Sequence, residues 1–284
     1  RDINKYLKDV NMDIIEIVKN AIVFPSKNLE TLSIYAVLLV LSAAFSFEGA
    51  VTVLFGIVDL WNLVIGGIYI LIALIIGVIT RRISIQCIKT GVEMEDYFPD
   101  FQWYDSWHIG FSKIIITIFY FIVPILVVIF LALITNVFGN LLDIAQAIIL
   151  QAPSIIMGEA TVADAVFSSS LPLFISIAIT FSLGMMVYLI FSFFQAMSEA
   201  RLAHTGSLKK ALNIYAAAKD ITRIGIGKLI LLSLYIFVIV VCIETVLTFV
   251  FDHLFVLGIL NIIIVPYISL FTYRALGLLY SDIV

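Results

Sequence analysis

Long apolar stretches alternate with short polar segments along the chain. Six of them approach the roughly 20 apolar residues that an α-helix needs to cross a bilayer. They cover residues 32–47, 63–80, 114–137, 171–196, 229–250 and 254–273. The first stretch is short, and residues 51–58 could extend it. The pattern predicts an all-α, polytopic membrane protein in which about six transmembrane helices follow a segment at residues 1–31.

Basic residues occur only in the segments that lie on one side of these spans. The chain has 16 of them: Arg1, Lys5, Lys8, Lys19, Lys27, Arg81, Arg82, Lys89, Lys113, Arg201, Lys209, Lys210, Lys219, Arg223, Lys228 and Arg274. Lysine and arginine are retained on the cytoplasmic side during insertion. We therefore expect a multi-pass protein of the cell membrane with both termini, and the segment 1–31, in the cytoplasm.

Three segments outside the spans have apolar residues at helical spacing. They are residues 12–24 before Pro25, residues 207–219 capped by Ser207, and residues 141–152 ended by Pro153. Amphipathic helices of this kind can lie in the membrane interface with the apolar face towards lipid. They can also pack against the ends of the helix bundle, and the sequence leaves both interpretations open.

The segment from Gly91 to Gly110 combines acidic residues with aromatic rings. The rings are Tyr97, Phe98, Phe101, Trp103, Tyr104 and Trp107, and the acids are Glu93, Glu95, Asp96, Asp100 and Asp105. Aromatic side chains with one polar edge favour the headgroup level of a bilayer. We interpret the loop as an interfacial anchor, with a binding site for a cationic partner as the alternative.

Two parts of the chain match at a constant offset of 115 residues. The offset relates Lys89–Gly91 to His204–Gly206, and Ile109–Lys113 to Ile224–Lys228. Each match lies between a span that enters the cytoplasm and a span that leaves it. The correspondence predicts a parallel internal repeat, an arrangement also found among transporters.

Composition excludes several classes of protein. Hydrophobic residues make up 63% of the chain and charged residues 13%, with a net charge of −4. A soluble domain averages about 45–50% apolar residues, so a soluble enzyme and a nucleic-acid binder are excluded. Phosphate-binding, zinc-protease and hydrolase motifs are absent. The three histidines lie in different segments, which argues against a three-histidine metal site. From these absences we predict no enzyme activity, no cofactor and no metal site.

Glu244 is the one carboxylate clearly inside a predicted span. An intramembrane acid is by default a candidate functional residue. The surrounding apolar residues favour insertion by roughly 5–10 kcal/mol, which exceeds the cost of about 3 kcal/mol for one central carboxylate. Glu244 is therefore a candidate either for transport or proton coupling, or for an interhelical hydrogen bond.

Several stretches resemble an uncharacterised multi-pass membrane family, a domain of unknown function found mainly in methanogenic and related archaea. The resemblance rests on Ile17–Lys27, Pro99–Trp103, Ser106–Phe111 and Ala200–Ala211. Phe98 stands where the family pattern leads us to expect leucine. The resemblance implies the topology and supplies no catalytic residue.

Two function classes lead, ahead of a lipid-modifying enzyme, for which no paired nucleophile and base is visible. The first is a structural, anchoring or oligomeric membrane component that binds lipid, further copies of itself or another membrane protein. The absence of catalytic motifs and the abundance of interfacial segments favour it. The second is a transporter or channel for a small or lipid-like substrate, which the repeat and Glu244 favour.

Overall fold

The computed structural model describes residues 12–56, 59–98, 107–156, 162–250 and 254–284. Ten α-helices and one 3₁₀ turn, at Phe24–Lys27, account for most of this part of the chain. The helices are α1 Ile14–Val23, α2 Leu29–Phe55, α3 Leu60–Val92, α4 Trp107–Ile134, α5 Val137–Ile156, α6 Val162–Thr205, α7 Leu208–Ala211, α8 Ile214–Ile224, α9 Ile226–Val250 and α10 Leu254–Ser281.

The all-α fold class is confirmed. The described residues are 91% helical and contain no β-strand. Within these ranges, six helices are long and apolar enough to cross a membrane, namely Leu29–Phe55, Leu60–Val92, Trp107–Ile134, Ser170–Thr205, Ile226–Val250 and Leu260–Ser281. These helices indicate a multi-pass membrane protein. The side of the membrane on which its termini lie stays a prediction.

Local capping explains where the first two spans begin. The Asn28 side chain accepts a hydrogen bond from the Thr31 amide at 3.0 Å, and the Asp59 carboxylate accepts one from the Trp61 amide at 3.0 Å. Side chains of this type satisfy amide groups that lack a partner in the first turn of a helix. The first span continues through residues 51–55 and ends at Gly56, so it is longer than its most apolar stretch.

The chain forms two compact units. One contains the chain up to Ile116 together with Ala196–Val284, and the other is Thr117–Gln195. In the first unit, α3 packs against α2 and α10, and α1 packs against α10. Its apolar core contains Phe24, Leu32, Tyr35, Leu38, Ile79, Ile83, Cys87, Phe98 and Leu270.

The three amphipathic segments form helices with different surroundings and bounds. Ile17 and Ala21 of α1 are fully buried, so this face packs on protein. The predicted helix at 207–219 is two helices, α7 and α8, because Asn213 rather than Ser207 provides a side-chain cap, to the Ala216 amide at 3.1 Å. The third helix, α5, continues past Pro153 to Ile156.

The glycines that support the internal repeat differ in conformation. Gly91 and Gly110 lie inside α3 and α4. Their counterparts Gly206 and Gly225 have φ angles of +63° and +92°, and each of these two lies at the end of a helix, where the left-handed conformation favours glycine. The repeat therefore stays a prediction from sequence.

Candidate polar site at the basic end

Ionic side chains converge in the first unit where five spans begin or end. We call this region the basic end: it comprises the C-terminal ends of α3, α6 and α10 and the N-terminal ends of α4 and α9. Its central residue is Lys113 of α4, which is 4% exposed. Its Nζ atom lies 3.1 Å from Glu199 Oε2 of α6 and donates a hydrogen bond to Ser84 Oγ of α3 at 2.8 Å.

An aromatic ring completes the surroundings of Lys113. The Tyr273 ring of α10 lies 3.8 Å from Nζ, measured to the ring centroid. A cation over an aromatic face is attracted by the quadrupole of the ring. Lys113 thus joins four helices of the first unit through one ammonium group. Because Glu199 is also only 4% exposed, the two charges neutralise each other out of contact with water.

Serine and lysine form a catalytic pair in some hydrolases, so the Ser84–Lys113 contact raises the question of whether Ser84 could act as a nucleophile. Ser84 is 1% exposed, and its hydroxyl donates to the Arg81 carbonyl oxygen at 2.7 Å. A substrate has no access to this oxygen, and the Lys113 ammonium is paired with Glu199. The geometry therefore favours helix attachment over nucleophilic chemistry.

A second ionic cluster attaches α8 to the unit. Arg201 of α6 donates through Nε to Asp220 Oδ2 at 3.0 Å and through Nη2 both to the same carboxylate and to the Ala216 carbonyl oxygen. The Tyr280 hydroxyl of α10 donates to Asp220 Oδ2 at 3.0 Å. Asp220 is 3% exposed, so this carboxylate links α6, α8 and α10.

The two ends of the described chain meet at the same place. Lys228 of α9 forms an ion pair with Asp282, whose Oδ1 atom also accepts a hydrogen bond from the Met12 amide at 3.2 Å. Arg274, 1% exposed, lies 4.3 Å from the Phe24 ring centroid and donates to Asn20 Oδ1 at 3.4 Å. Its Nε and Nη1 atoms find no hydrogen-bond partner among the described residues.

The predicted aromatic anchor divides into different environments. Phe98 is 5% exposed and stacks on Phe24 with ring centroids 5.1 Å apart, so this ring belongs to the apolar core rather than to a surface. Trp107 begins α4 and is exposed. Phe101, Trp103 and Tyr104 lie outside the described residues.

Glu244 lies on α9, remote from the basic end. At about 1.5 Å per residue it is roughly 24 Å along the helix from Lys228. The side chain is half-buried and lines a shallow groove of about 490 Å³ with Thr245, Thr248 and Phe249. Within the described part of the chain, its carboxylate has no hydrogen-bond or ion-pair partner. Of the aromatic segment, Phe98 is described within the apolar core and does not line this groove.

A polar cluster in the second unit was not predicted from sequence. Thr135 and Thr180 share a hydrogen bond at 2.8 Å, and Asn140 donates to Ser176 Oγ at 3.1 Å. A groove of about 370 Å³ is lined by three of these residues and by Leu171, Pro172, Ile175 and Ile179. The bonded residues are 45 and 36 positions apart in the sequence, so no local pattern reveals the cluster.

The buried ion pairs of the basic end were not predicted from sequence either, because their residues lie outside the apolar stretches. The repeat gives one indication of them. The predicted repeat aligns Lys113 with Lys228, and each pairs with an acid near the end of the following span, Glu199 and Asp282 respectively. No group of three or more His, Cys, Asp or Glu side chains in the described ranges is arranged to hold a metal ion.

Six apolar helices with an ion-paired end define an α-helical, multi-pass membrane protein. The chain belongs to the DUF4013 family, a family of proteins of unknown function, whose model matches residues 65–252, about two-thirds of the chain. No curated protein and no solved structure matches the chain. The prediction of an uncharacterised family is confirmed, and the archaeal source stays a prediction.

Proposed function

We propose that this chain is a non-catalytic, structural or anchoring component of the cell membrane that assembles with further copies of itself through its spans. The observation that supports it is the low burial of the spans. Only 11% of the most apolar 18-residue stretch is buried in α2 and in α9, compared with 44% in α10. Exposed apolar faces in a bilayer are available to lipid and to neighbouring helices.

Within this proposal, α9 is the contact helix. Every residue from Ser233 to Val250 is half-buried or exposed, so the described residues cover little of this helix. Glu244, Thr245 and Thr248 supply hydrogen-bonding groups on an otherwise apolar surface. In a two-fold symmetric pair, the second copy places the same groups at the same depth. Hydrogen bonds between such side chains stabilise transmembrane helix pairs.

The proposal places the basic end, and with it both termini, on the cytoplasmic side. The distribution of lysine and arginine supports this orientation. The ion pairs of the basic end then fix α1, α8 and the span ends relative to one another within the first unit. In the first unit, the apolar faces of α2 and α9 are then available for assembly.

Disulfide crosslinking in native membranes tests the assembly. In a Cys242→Ser background, Thr245→Cys is expected to form a crosslinked dimer on mild oxidation. The matched control is Phe130→Cys, since this residue lies as far after Lys113 as Thr245 lies after Lys228 and is 61% exposed.

An interhelical hydrogen bond is worth about 0.6–1.7 kcal/mol. Adding Glu244→Leu should therefore reduce the dimer about three- to fifteenfold, whereas Glu244→Gln should preserve it. Equal crosslinking at both cysteines, or none at Thr245→Cys, would contradict the proposal.

A transporter or channel is the second candidate, and the groove at Glu244 favours it. A carboxylate in a span that has no partner among the described residues can bind a cation or exchange a proton. Glu244→Gln keeps the shape and removes the charge, so proteoliposomes with this variant should lose most proton or cation leak if the role is transport. Unchanged leak, together with preserved dimer crosslinking, would leave assembly as the role of Glu244.

A further inference from the structure

Four basic side chains of the segment between α6 and α9 differ from the other cations of the basic end. Lys209, Lys210, Lys219 and Arg223 are exposed, and no carboxylate among the described residues forms an ion pair with them. Arg201 and Lys228, which flank the four, are both paired. The single acid of residues 201–228 is Asp220, which is buried and already bonded to Arg201 and Tyr280.

The orientation of α8 places part of this charge away from the protein. Ala217, Asp220 and Ile224 form the buried face. At 100° per residue, Tyr215 and Lys219 lie opposite that face, with Arg223 beside them. Tyr215 is 80% exposed. The Arg201–Asp220–Tyr280 cluster holds the buried face in place, so the opposite face presents an aromatic ring and two cations together.

The chain also limits how far these cations can lie from the membrane surface. Lys209 follows the end of α6 at Thr205 by four residues, and Arg223 precedes the start of α9 at Ile226 by three. An extended chain spans at most about 3.5 Å per residue, so the Arg223 backbone lies within roughly 10 Å of the start of a span. This distance is comparable with the Debye length of about 8 Å at physiological ionic strength.

We propose that Lys209, Lys210, Lys219, Arg223 and Tyr215, the α7–α8 basic surface, bind the headgroups of anionic phospholipids in the adjoining leaflet. The positive charge of this surface favours an anionic partner. Because the surface is attached to the ends of two spans, we infer a partner that lies in the membrane. The exposed tyrosine suits the boundary between headgroups and acyl chains. Each cation close to an anionic membrane surface is expected to strengthen binding to that surface about fivefold. The inference is independent of self-assembly.

Lipid selectivity of the full chain tests this inference. The protein is reconstituted in phosphatidylcholine bilayers that contain spin-labelled phosphatidylglycerol or spin-labelled phosphatidylcholine, and the lipid immobilised by protein is measured by electron paramagnetic resonance. The wild-type chain should prefer phosphatidylglycerol severalfold, and the preference should fall at 0.5 M salt. Lys209→Gln/Lys210→Gln/Lys219→Gln/Arg223→Gln should remove most of it. Because these side chains are exposed, the variant is expected to fold.

The matched control is Lys5→Gln/Lys8→Gln/Lys19→Gln/Lys89→Gln, which removes the same charge elsewhere and should keep the preference. Three results would overturn the inference: no preference in the wild-type chain, an equal loss in both variants, or a preference that survives the four substitutions. Binding of a single-stranded oligonucleotide that phosphatidylglycerol vesicles do not displace would also overturn it, because the surface would then recognise a soluble polyanion. The double variant Lys219→Gln/Arg223→Gln should give an intermediate loss.

Discussion

Replacing Lys113 with methionine is expected to lower the free energy of unfolding by about 3–5 kcal/mol, because removal of one partner leaves a buried charge uncompensated. The Lys113 and Glu199 side chains are 5% and 6% exposed, and their charged atoms lie 3.1 Å apart. In Lys113→Met, the Glu199 carboxylate would lack its counter-ion in a region with little water. Unfolding by denaturing detergent, followed by circular dichroism in mixed micelles, measures the change.

An exposed ion pair at the C-terminal end of α3 provides the control. Lys89 and Glu93 lie 3.7 Å apart with side chains 54% and 43% exposed. Exposed pairs contribute about 0–1 kcal/mol, so Lys89→Met should change stability little. The double variant Lys113→Met/Glu199→Leu removes both buried charges and should recover much of the loss. A double variant that is less stable than Lys113→Met would show that the pair itself, and not the orphaned carboxylate, determines stability.

The spans were predictable from sequence because a bilayer imposes a simple constraint on composition. A helix in hydrocarbon needs about 20 apolar residues whatever its neighbours are, so α4 and α9 are visible in the sequence alone. The actual helix ends were less predictable. The α3 helix continues beyond residue 80 to Val92, and Arg82 and Ser84 are buried within it. Hydropathy cannot distinguish a loop from a polar helix end that is covered by other helices.

The candidate site was not predictable for a related reason. Lys113 and Glu199 are separated by most of α4, α5 and α6 in the sequence, and only tertiary packing within the first unit joins them. The same applies to Phe98, whose aromatic and acidic neighbours in the sequence indicate a surface loop. Its contact with Phe24 brings the ring into the core. The local pattern distinguished apolar from polar segments. It carried no information about which segments pack against each other in the fold.

Substitution of Gly277 with alanine is also expected to lower the stability of the fold strongly, because α3 and α10 approach each other closely at glycine residues. A Cβ atom on Gly277 would overlap the Ile88 carbonyl oxygen and lie 2.9 Å from Gly91 Cα. A Cβ atom on Gly91 would lie 2.8 Å from Gly277 Cα. These neighbours are backbone atoms, which cannot move without separating the helices. Overpacking usually costs about 1–3 kcal/mol, and we expect Gly277→Ala to reach the upper part of this range.

Gly67 of α3 offers a matched substitution, since a Cβ atom there would have no neighbour within 4 Å. Gly67→Ala should leave stability unchanged or raise it by up to about 1 kcal/mol through helix propensity. In a bilayer the hydrophobic effect does not hold helices together, so close backbone packing carries more of the association energy. The same detergent unfolding measurement compares the two variants. Equal stability of Gly277→Ala and Gly67→Ala would mean that the close α3–α10 contact at Gly277 is not a determinant of the fold.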